Sequence, residues 1–311
     1  MQPISTSASW SSALLNLTQA EQQQTTAQNQ VSSGQVAQNL GGYGQGAETI
    51  SSMEASQTRL QGFITAGNAL TSSLTDQATA LTQVANGGAA ALQAVTDAIA
   101  SGSAAGLMQS LQTQYQQVTG GLNAQSNGVY IFGGGSTNQA PVTVTNISNL
   151  IPLASPPTAA FQNGPFVSSS QIDESTTIQT GMLANNVGTN LLGVFQSIAA
   201  YDAGPNGPLN GQLTQTKISF LQSQISAFDA ANTTVTSYQA QNGAAQKTVS
   251  NAITDQQNQS TTLQNLVGDR TNVDMATALS NLSQAQNAVQ ASAQVLASLQ
   301  NDSLLKILPV A

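Results

Sequence analysis

Val273-Asp-Met-Ala-Thr-Ala-Leu-Ser-Asn-Leu-Ser-Gln-Ala-Gln-Asn-Ala-Val-Gln-Ala-Ser-Ala-Gln-Val-Leu-Ala-Ser-Leu-Gln-Asn-Asp-Ser-Leu-Leu-Lys-Ile-Leu308 is the stretch whose reading decides the fold. Met275, Leu282, Val289 and Leu296 recur at seven-residue intervals, with Leu279, Ala285, Ala293 and Leu299 between them. On a helix this spacing draws one narrow apolar stripe. The remaining faces are Ala, Ser, Gln and Asn, where an ordinary surface helix would carry Lys and Glu. A narrow stripe with neutral flanks suits a helix that packs lengthwise against partners or copies of itself. Leu304, Leu305, Ile307 and Leu308 add an amphipathic end.

The opening residues mirror this pattern. Over residues 5–33, Trp10, Leu14, Leu17, Glu21, Gln24, Gln28 and Val31 fall at alternating four- and three-residue steps. This predicts a helix whose stripe is apolar at its start and amide-rich in its middle, and such a helix needs a partner. Helix at both ends brings the two termini of the chain together.

Composition narrows the function classes. Of 311 residues only 6% are charged, with five Lys and Arg against thirteen Asp and Glu, a formal charge of -8. An average globular chain carries about 25%. Copies with so few charges repel one another weakly, so self-assembly meets little electrostatic resistance. Scarce Lys and Arg exclude a nucleic-acid partner. No apolar run approaches the ~20 residues of a membrane span, so no membrane insertion is expected. The segment MQPISTSASWSSALLNL lacks the basic start and long apolar core of a secretory signal, so export, if it occurs, is expected to use a route that reads no cleaved leader.

Catalysis and cofactors find no footing. The chain has no cysteine and no histidine, which removes Ser-His and Cys-His nucleophile pairs and most zinc sites. Asp173 and Glu174 are adjacent and would point apart on a strand. Asp269 and Asp274 could be imagined around a cation, yet acids beside a helix start are accounted for by the macrodipole. Gly133-Gly134-Gly135 is followed by no Gly-Lys-Ser/Thr, so it reads as a turn rather than a phosphate loop. Not an enzyme, no cofactor and no metal is the expectation.

Between the ends, Asn39 to Gly46 is glycine-rich and reads as a turn-permissive linker. A second helix is expected from Ala47 to about Ala85, roughly 60 Å long. Its rows are Met53, Leu60, Leu74, Leu81 and Ile50, Gln57, Ile64, Ala78. Asn86-Gly87-Gly88 should stop or kink it, with short helices following around Leu92–Ile99 and Leu107–Leu122. Asn127-Gly128-Val129-Tyr130-Ile131-Phe132-Gly133 reads as a turn into a strand. Residues 136–210 hold most of the prolines and are expected to be an irregular β-rich insertion, with Val142-Thr143-Val144 and Thr176–Gln179 as strands and 189–201 as a helix. A long helix near 212–267 should return antiparallel to 47–85, with Gly268-Asp269-Arg270 as the joint before the terminal helix.

The terminal stretch resembles the C-terminal signature of the flagellin superfamily, through Asp274-Met275-Ala276, Leu282–Gln286, Gln290–Ala293 and Ser303-Leu304-Leu305. Gly128, Tyr130, Phe132 and Gly133 resemble a Gly-x-Tyr-Leu-Phe-x-Gly element of hook-associated proteins and some flagellins of that superfamily. The chain departs from the family where an Asp-Asp-Pro element is usual, at 39–46. The resemblance implies a mainly α fold, a long antiparallel helical bundle and coiled coil built from both chain ends, with a small β-rich insertion. It divides the chain into 1–40 plus 268–311, 41–135 plus 211–267, and 136–210. It further implies a structural subunit of the bacterial flagellum at the hook–filament junction, exported by the type III route with an export chaperone. Its partners would be itself, hook-associated proteins and flagellin. The assembly interface would use Trp10, Leu14, Leu17, Val31, Met275, Leu279, Leu282, Val289, Leu296, Leu299, Leu304, Leu305 and Leu308. A filament flagellin and a surface adhesin binding glycans through 136–210 are the alternatives.

Overall fold

The computed structural model describes residues 4–136 and 138–305. Six α-helices and two short β-ribbons are found among them: α1 (Ile4–Ser33), α2 (Ala47–Ser101), α3 (Leu107–Leu122), β1 (Gln125–Ser126), β2 (Val129–Tyr130), β3 (Ser169–Gln171), β4 (Thr177–Gln179), α4 (Ala184–Ala203), α5 (Gln215–Thr271) and α6 (Met275–Leu305). The chain forms two units, one from residues 1–61 with 258–311 and the other from Gly62–Gln257. The expected mainly helical fold is what is seen.

In the first unit, α1 ends at Gly34, whose φ of +71° only glycine adopts freely and whose N–H caps back to the Gln30 carbonyl. The chain then ties itself to the start of α6. Val36 N–H donates to Thr271 O and Val273 N–H to Gly34 O, flanking an antiparallel bridge between Gln35 and Asn272. With the end of α1 fixed beside the start of α6, the two packed helices run antiparallel. The joint differs from the expected Gly268-Asp269-Arg270. Helix α5 continues through those residues to Thr271, because Gly268 O still accepts from Asn272 N–H. The glycine-rich 39–46 linker is an ordered 3-10 turn, capped by Asn39 Oδ1 accepting from Gly42 N–H and pinned by Tyr43 Oη donating to Ala37 O.

The second unit is organised by α2 against α5. Gln239 Nε2 reaches Thr82 Oγ1, Asn242 and Gln246 donate to Leu74 O, and Gly67 leaves room for Ile253. Numbers rise on one helix as they fall on the other, so the pair is antiparallel, as the sequence predicts. The expected break at Gly87-Gly88 does not occur, and α2 runs 55 residues without interruption. These glycines serve packing instead. A Cβ on Gly87 would lie 2.7 Å from Val118 Cγ2 and 3.1 Å from Gln114 O, and one on Gly88 would meet Asn232. They let α3 and α5 close onto α2, and the packing outweighs the helix cost of glycine, about 1 kcal/mol each.

Residues 136–210 share a single core with α2, α3 and α5: Val142, Ile147, Leu150, Leu191 and Phe195 are buried with Phe132, Leu81, Leu111 and Phe228. Tyr115, Phe195 and Phe228 stack edge to face, with centroids 5.5 and 5.4 Å apart. The expected strand at Val142-Thr143-Val144 is only a bridge to Phe161. Side chains of α3 and its end take the place of a neighbouring strand. Asn123 both donates to Val142 O and accepts from its N–H, at 2.8 Å each. Tyr115 Oη donates to Val144 O at 2.7 Å, and Gln112 bonds Thr145 O and Ile147 N–H. Burial holds the Tyr115 proton far above the ordinary phenol range, so it remains a donor. Among the described residues of this segment, strand is confined to β3 and β4, which pair antiparallel around a turn closed by Asp173. Asp173 and Glu174 therefore sit in a turn rather than on a strand.

Candidate assembly surface on the terminal helices

Helices α1 and α6 meet along two interleaved seven-residue rows. On α1 the half-buried row is Trp10, Leu17, Gln24 and Val31, and the buried row is Ala13, Ala20 and Ala27. On α6, Leu282, Val289 and Leu296 alternate with Ala278, Ala285, Ser292 and Leu299. The five alanines are at most 7% exposed, which makes small residues the closest point of the seam. Strict three–four alternation is the packing of a coiled coil, and alanine lets the two backbones approach.

This register differs by one residue from part of the expected stripe. The row taken as Leu14, Glu21 and Gln28 is in fact Ala13, Ala20 and Ala27, and on α6 Ala278 and Ser292 stand where Leu279 and Ala293 were expected. The displaced Leu14 and Leu279 are 49% and 53% exposed, and Leu15 and Val295, outside the expected stripe, are 59% and 52% exposed. Met275, on the seam row of Leu282 at the start of α6, is still 43% exposed. Seam positions lie near one face of each helix; at 100° per residue Leu15 lies almost opposite the α1 seam. One side of the pair carries a groove of about 970 Å³ lined mainly by amides, among them Gln19, Gln23, Gln30, Asn281 and Gln284.

The start of α6 is fixed by Asp274. Its Oδ1 accepts from Ala276 N–H at 3.1 Å and its Oδ2 from Thr277 Oγ1 at 2.8 Å, and these hydrogen bonds hold its carboxyl below the usual aspartate range. It is a helix cap, while Asp269 lies within α5. Leu304 and Leu305 belong to the last turn of α6, and Leu308 lies outside the described residues.

The remaining motif residues form a hairpin between β1 and β2. Asn127 and Gly128 have φ of +51° and +79°, the positive pair required at a two-residue turn. Tyr130 is half-buried and Phe132 fully buried, and Ala184 N–H donates to Phe132 O at the start of α4. Gly133 and Gly134 lie against the backbone at Gly164, whose N–H donates to Gly133 O and whose carbonyl oxygen would lie 2.1 Å from a Cβ on Gly134. The glycine run is thus a backbone crossing. Sequence reasoning missed the alanine rows and the outward Leu15; the seven-residue recurrence of Ala13, Ala20 and Ala27 was the available signal.

Residues 225–308 match the family model of the bacterial flagellin C-terminal helical region. The flagellin resemblance read from 273–308 is therefore shown, and it extends upstream into α5. No curated protein sequence matches the chain. Among solved structures, the chain is similar to one assigned as a flagellar hook-associated protein from Vibrio parahaemolyticus, with 16% identity and a TM-score of 0.57 over 73% of this chain and 97% of that one. It is also similar to Bacillus cereus FlgL, with 14% identity and a TM-score of 0.52 over 70% of this chain and 97% of that one. At these identities the likeness establishes the fold.

Proposed function

We propose that the chain is a structural, non-catalytic subunit of the bacterial flagellum, placed at the hook–filament junction in the manner of hook-associated protein 3. It joins copies of itself and other axial proteins, the hook-associated proteins and flagellin, through α1 and α6. One observation carries this reading: the two helices close most tightly on alanines, and Leu14, Leu15, Met275, Leu279 and Val295 are left 43–59% exposed. Covering one such side chain contributes on the order of 1 kcal/mol, so several of them repeated over many subunits add up to a cooperative driving force. The interface then comprises those residues with the flanks of Trp10, Leu17, Val31, Leu282, Val289, Leu296 and Leu299, and the ends at Leu304, Leu305 and Leu308. Residues 1–40 and 268–311 act in it as one assembling domain.

The flagellin C-terminal match supports a flagellar axial protein. Likeness to two hook-associated structures, together with the Gly128–Gly133 hairpin, favours the junction over the filament. The same reading places the protein outside the cell, delivered by the flagellar type III apparatus with a dedicated chaperone. Among the described residues, no helix is long and apolar enough to cross a membrane. Tagged protein on intact flagella decides the placement: label in one spot at the base of each filament is expected, and label along the whole filament would make it a flagellin instead.

A further inference from the structure

Asn-Gly pairs begin at Asn86, Asn127, Asn163, Asn206, Asn210 and Asn242. This dipeptide carries a reaction of its own, because the glycine nitrogen can attack the asparagine side-chain carbonyl and has no Cβ beside it to hinder the approach. The nitrogen must come within about 3–3.5 Å of Cγ, which requires the peptide unit between the two residues to turn. The fold decides where it can. Asn86 and Asn242 lie inside α2 and α5, where the glycine amides are taken up in the helix ladder. Gly164 N–H donates to Gly133 O and Gly207 N–H to Gly204 O. The Asn163 side chain is also held at both ends by Asn185. Asn127 is held by its own backbone. Its φ is +51°, where a residue other than glycine has only the small left-handed well. Turning the 127–128 peptide would drive it out of that well.

Asn210 is free of each restraint. It is exposed and its φ is negative, while Gly211 takes the positive φ of +58° with open space where a Cβ would stand. Among the described residues, Asn210 O, the Asn210 side chain and Gly211 N–H make no hydrogen bond. The flanks are anchored all the same. Leu209 N–H donates to Asp202 Oδ1 at 2.6 Å, Gly211 O accepts from Ala104 N–H, and Leu213 N–H donates to Gly102 O. An unbonded peptide between fixed neighbours can rotate with little movement of the chain on either side.

We propose that Asn210 is a modification site, which deamidates through a succinimide closed with Gly211. The Gly211 nitrogen bonds to Asn210 Cγ and gives up its proton, the Cγ–Nδ2 bond breaks, and the side-chain nitrogen leaves as ammonia. Water then opens the ring. Cleavage at Cγ yields an aspartyl residue, and cleavage at the main-chain carbonyl yields an isoaspartyl residue, each with one new negative charge. The isoaspartyl form adds a methylene to the main chain between Leu209 and Gly211, and so loosens the clamp of 211–213 on 102–104. The site lies in the second unit, away from the terminal helices, and stands or falls independently of the assembly reading.

The test keeps the full chain in warm, mildly alkaline buffer and follows each Asn-Gly peptide by mass spectrometry over time. A second sample is held unfolded in urea. In the folded chain Asn210 should convert about tenfold or more faster than any other pair, since freeing a bonded amide costs about one hydrogen bond. In urea the six rates should draw together. Asn210→Gln, whose ring would need an extra methylene, should abolish the dominant new acidic species on ion exchange. In the isoaspartyl fraction, the amides of Ala104 and Leu213 should exchange faster than in the parent. Conversion at Asn127 or another pair before Asn210 overturns the proposal, as do six equal rates in the folded chain. So does an acidic species that forms as quickly in Asn210→Gln, and unchanged exchange at Ala104 and Leu213 overturns the loosening of the clamp.

Discussion

Alanine at 13, 20 and 27 sets how near α1 lies to α6, and a larger side chain there must push the helices apart. Ala20→Leu should cost about 1–3 kcal/mol in denaturant unfolding of the first unit, the usual penalty of overpacking. Leu15→Asp should leave that stability nearly unchanged, because Leu15 is 59% exposed, yet weaken assembly. Glycines divide the same way. Gly121 lies where a Cβ would be 2.9 Å from Ala80 O, whereas nothing lies within 4 Å of a Cβ on Gly243. Gly121→Ala should therefore destabilise the protein, and Gly243→Ala should stabilise it by about 0.5–1 kcal/mol; chemical denaturation reads both. Asp274 adds a pH dependence of known sign. Its carboxyl is held below the usual range in the folded chain, so its capping contribution is complete above the ordinary aspartate pKa of about 3.9 and is lost as pH falls through the lower folded value. The protection factors of amides in the first turn of α6, exchange rates corrected for their intrinsic pH dependence, should fall on that acid side. In Asp274→Asn, which keeps the acceptor without the charge, that fall should be absent.

The long helices are the elements whose pairing the sequence made readable. Ile50, Met53, Gln57, Leu60 and Ile64 alternate at three- and four-residue steps, Leu74 and Leu81 continue one row at seven, and all are buried or half-buried. Periodicity reports a face; it does not report what meets it. That limit explains the one-residue slip on α1 and α6, where alanine is common on every side and large residues such as Leu14 and Leu279 draw the eye. It also explains Gly87-Gly88, whose role is set by α3 and α5, far away in sequence. The 142–147 segment was misread for a related reason: Asn123, Tyr115 and Gln112 supply its backbone partners, and no local pattern announces a side chain standing in for a strand. Register along α2 and α5 is directly testable, since the chain has no native cysteine. Thr82→Cys with Gln239→Cys should cross-link readily, because these side chains meet at 3.4 Å. Thr82→Cys with Gln246→Cys, displaced by about 10 Å along α5, should not.

At the scale of the whole molecule, the two units differ in how fully they bury their large side chains. The second unit has a continuous core of Leu, Phe, Ile and Val from every helix it contains. The first pairs α1 and α6 over alanines and keeps Leu14, Leu15, Met275, Leu279 and Val295 on the outside. A charge content of 6% leaves little repulsion to keep such faces apart. The exposed set was partly legible, since Leu14, Met275 and Leu279 stand in the expected interface, while Leu15 and Val295 emerge only from the seam geometry. The central claim is that neighbouring subunits complete this unit. Hydrogen exchange measured on dilute protein, and again after its addition to purified hooks, tests that claim most directly. The account predicts that residues 8–31 and 275–299 exchange readily in dilute protein and become protected on addition, while the core around Leu111 and Phe195 is unchanged. Equal protection of both terminal helices before and after addition would contradict it.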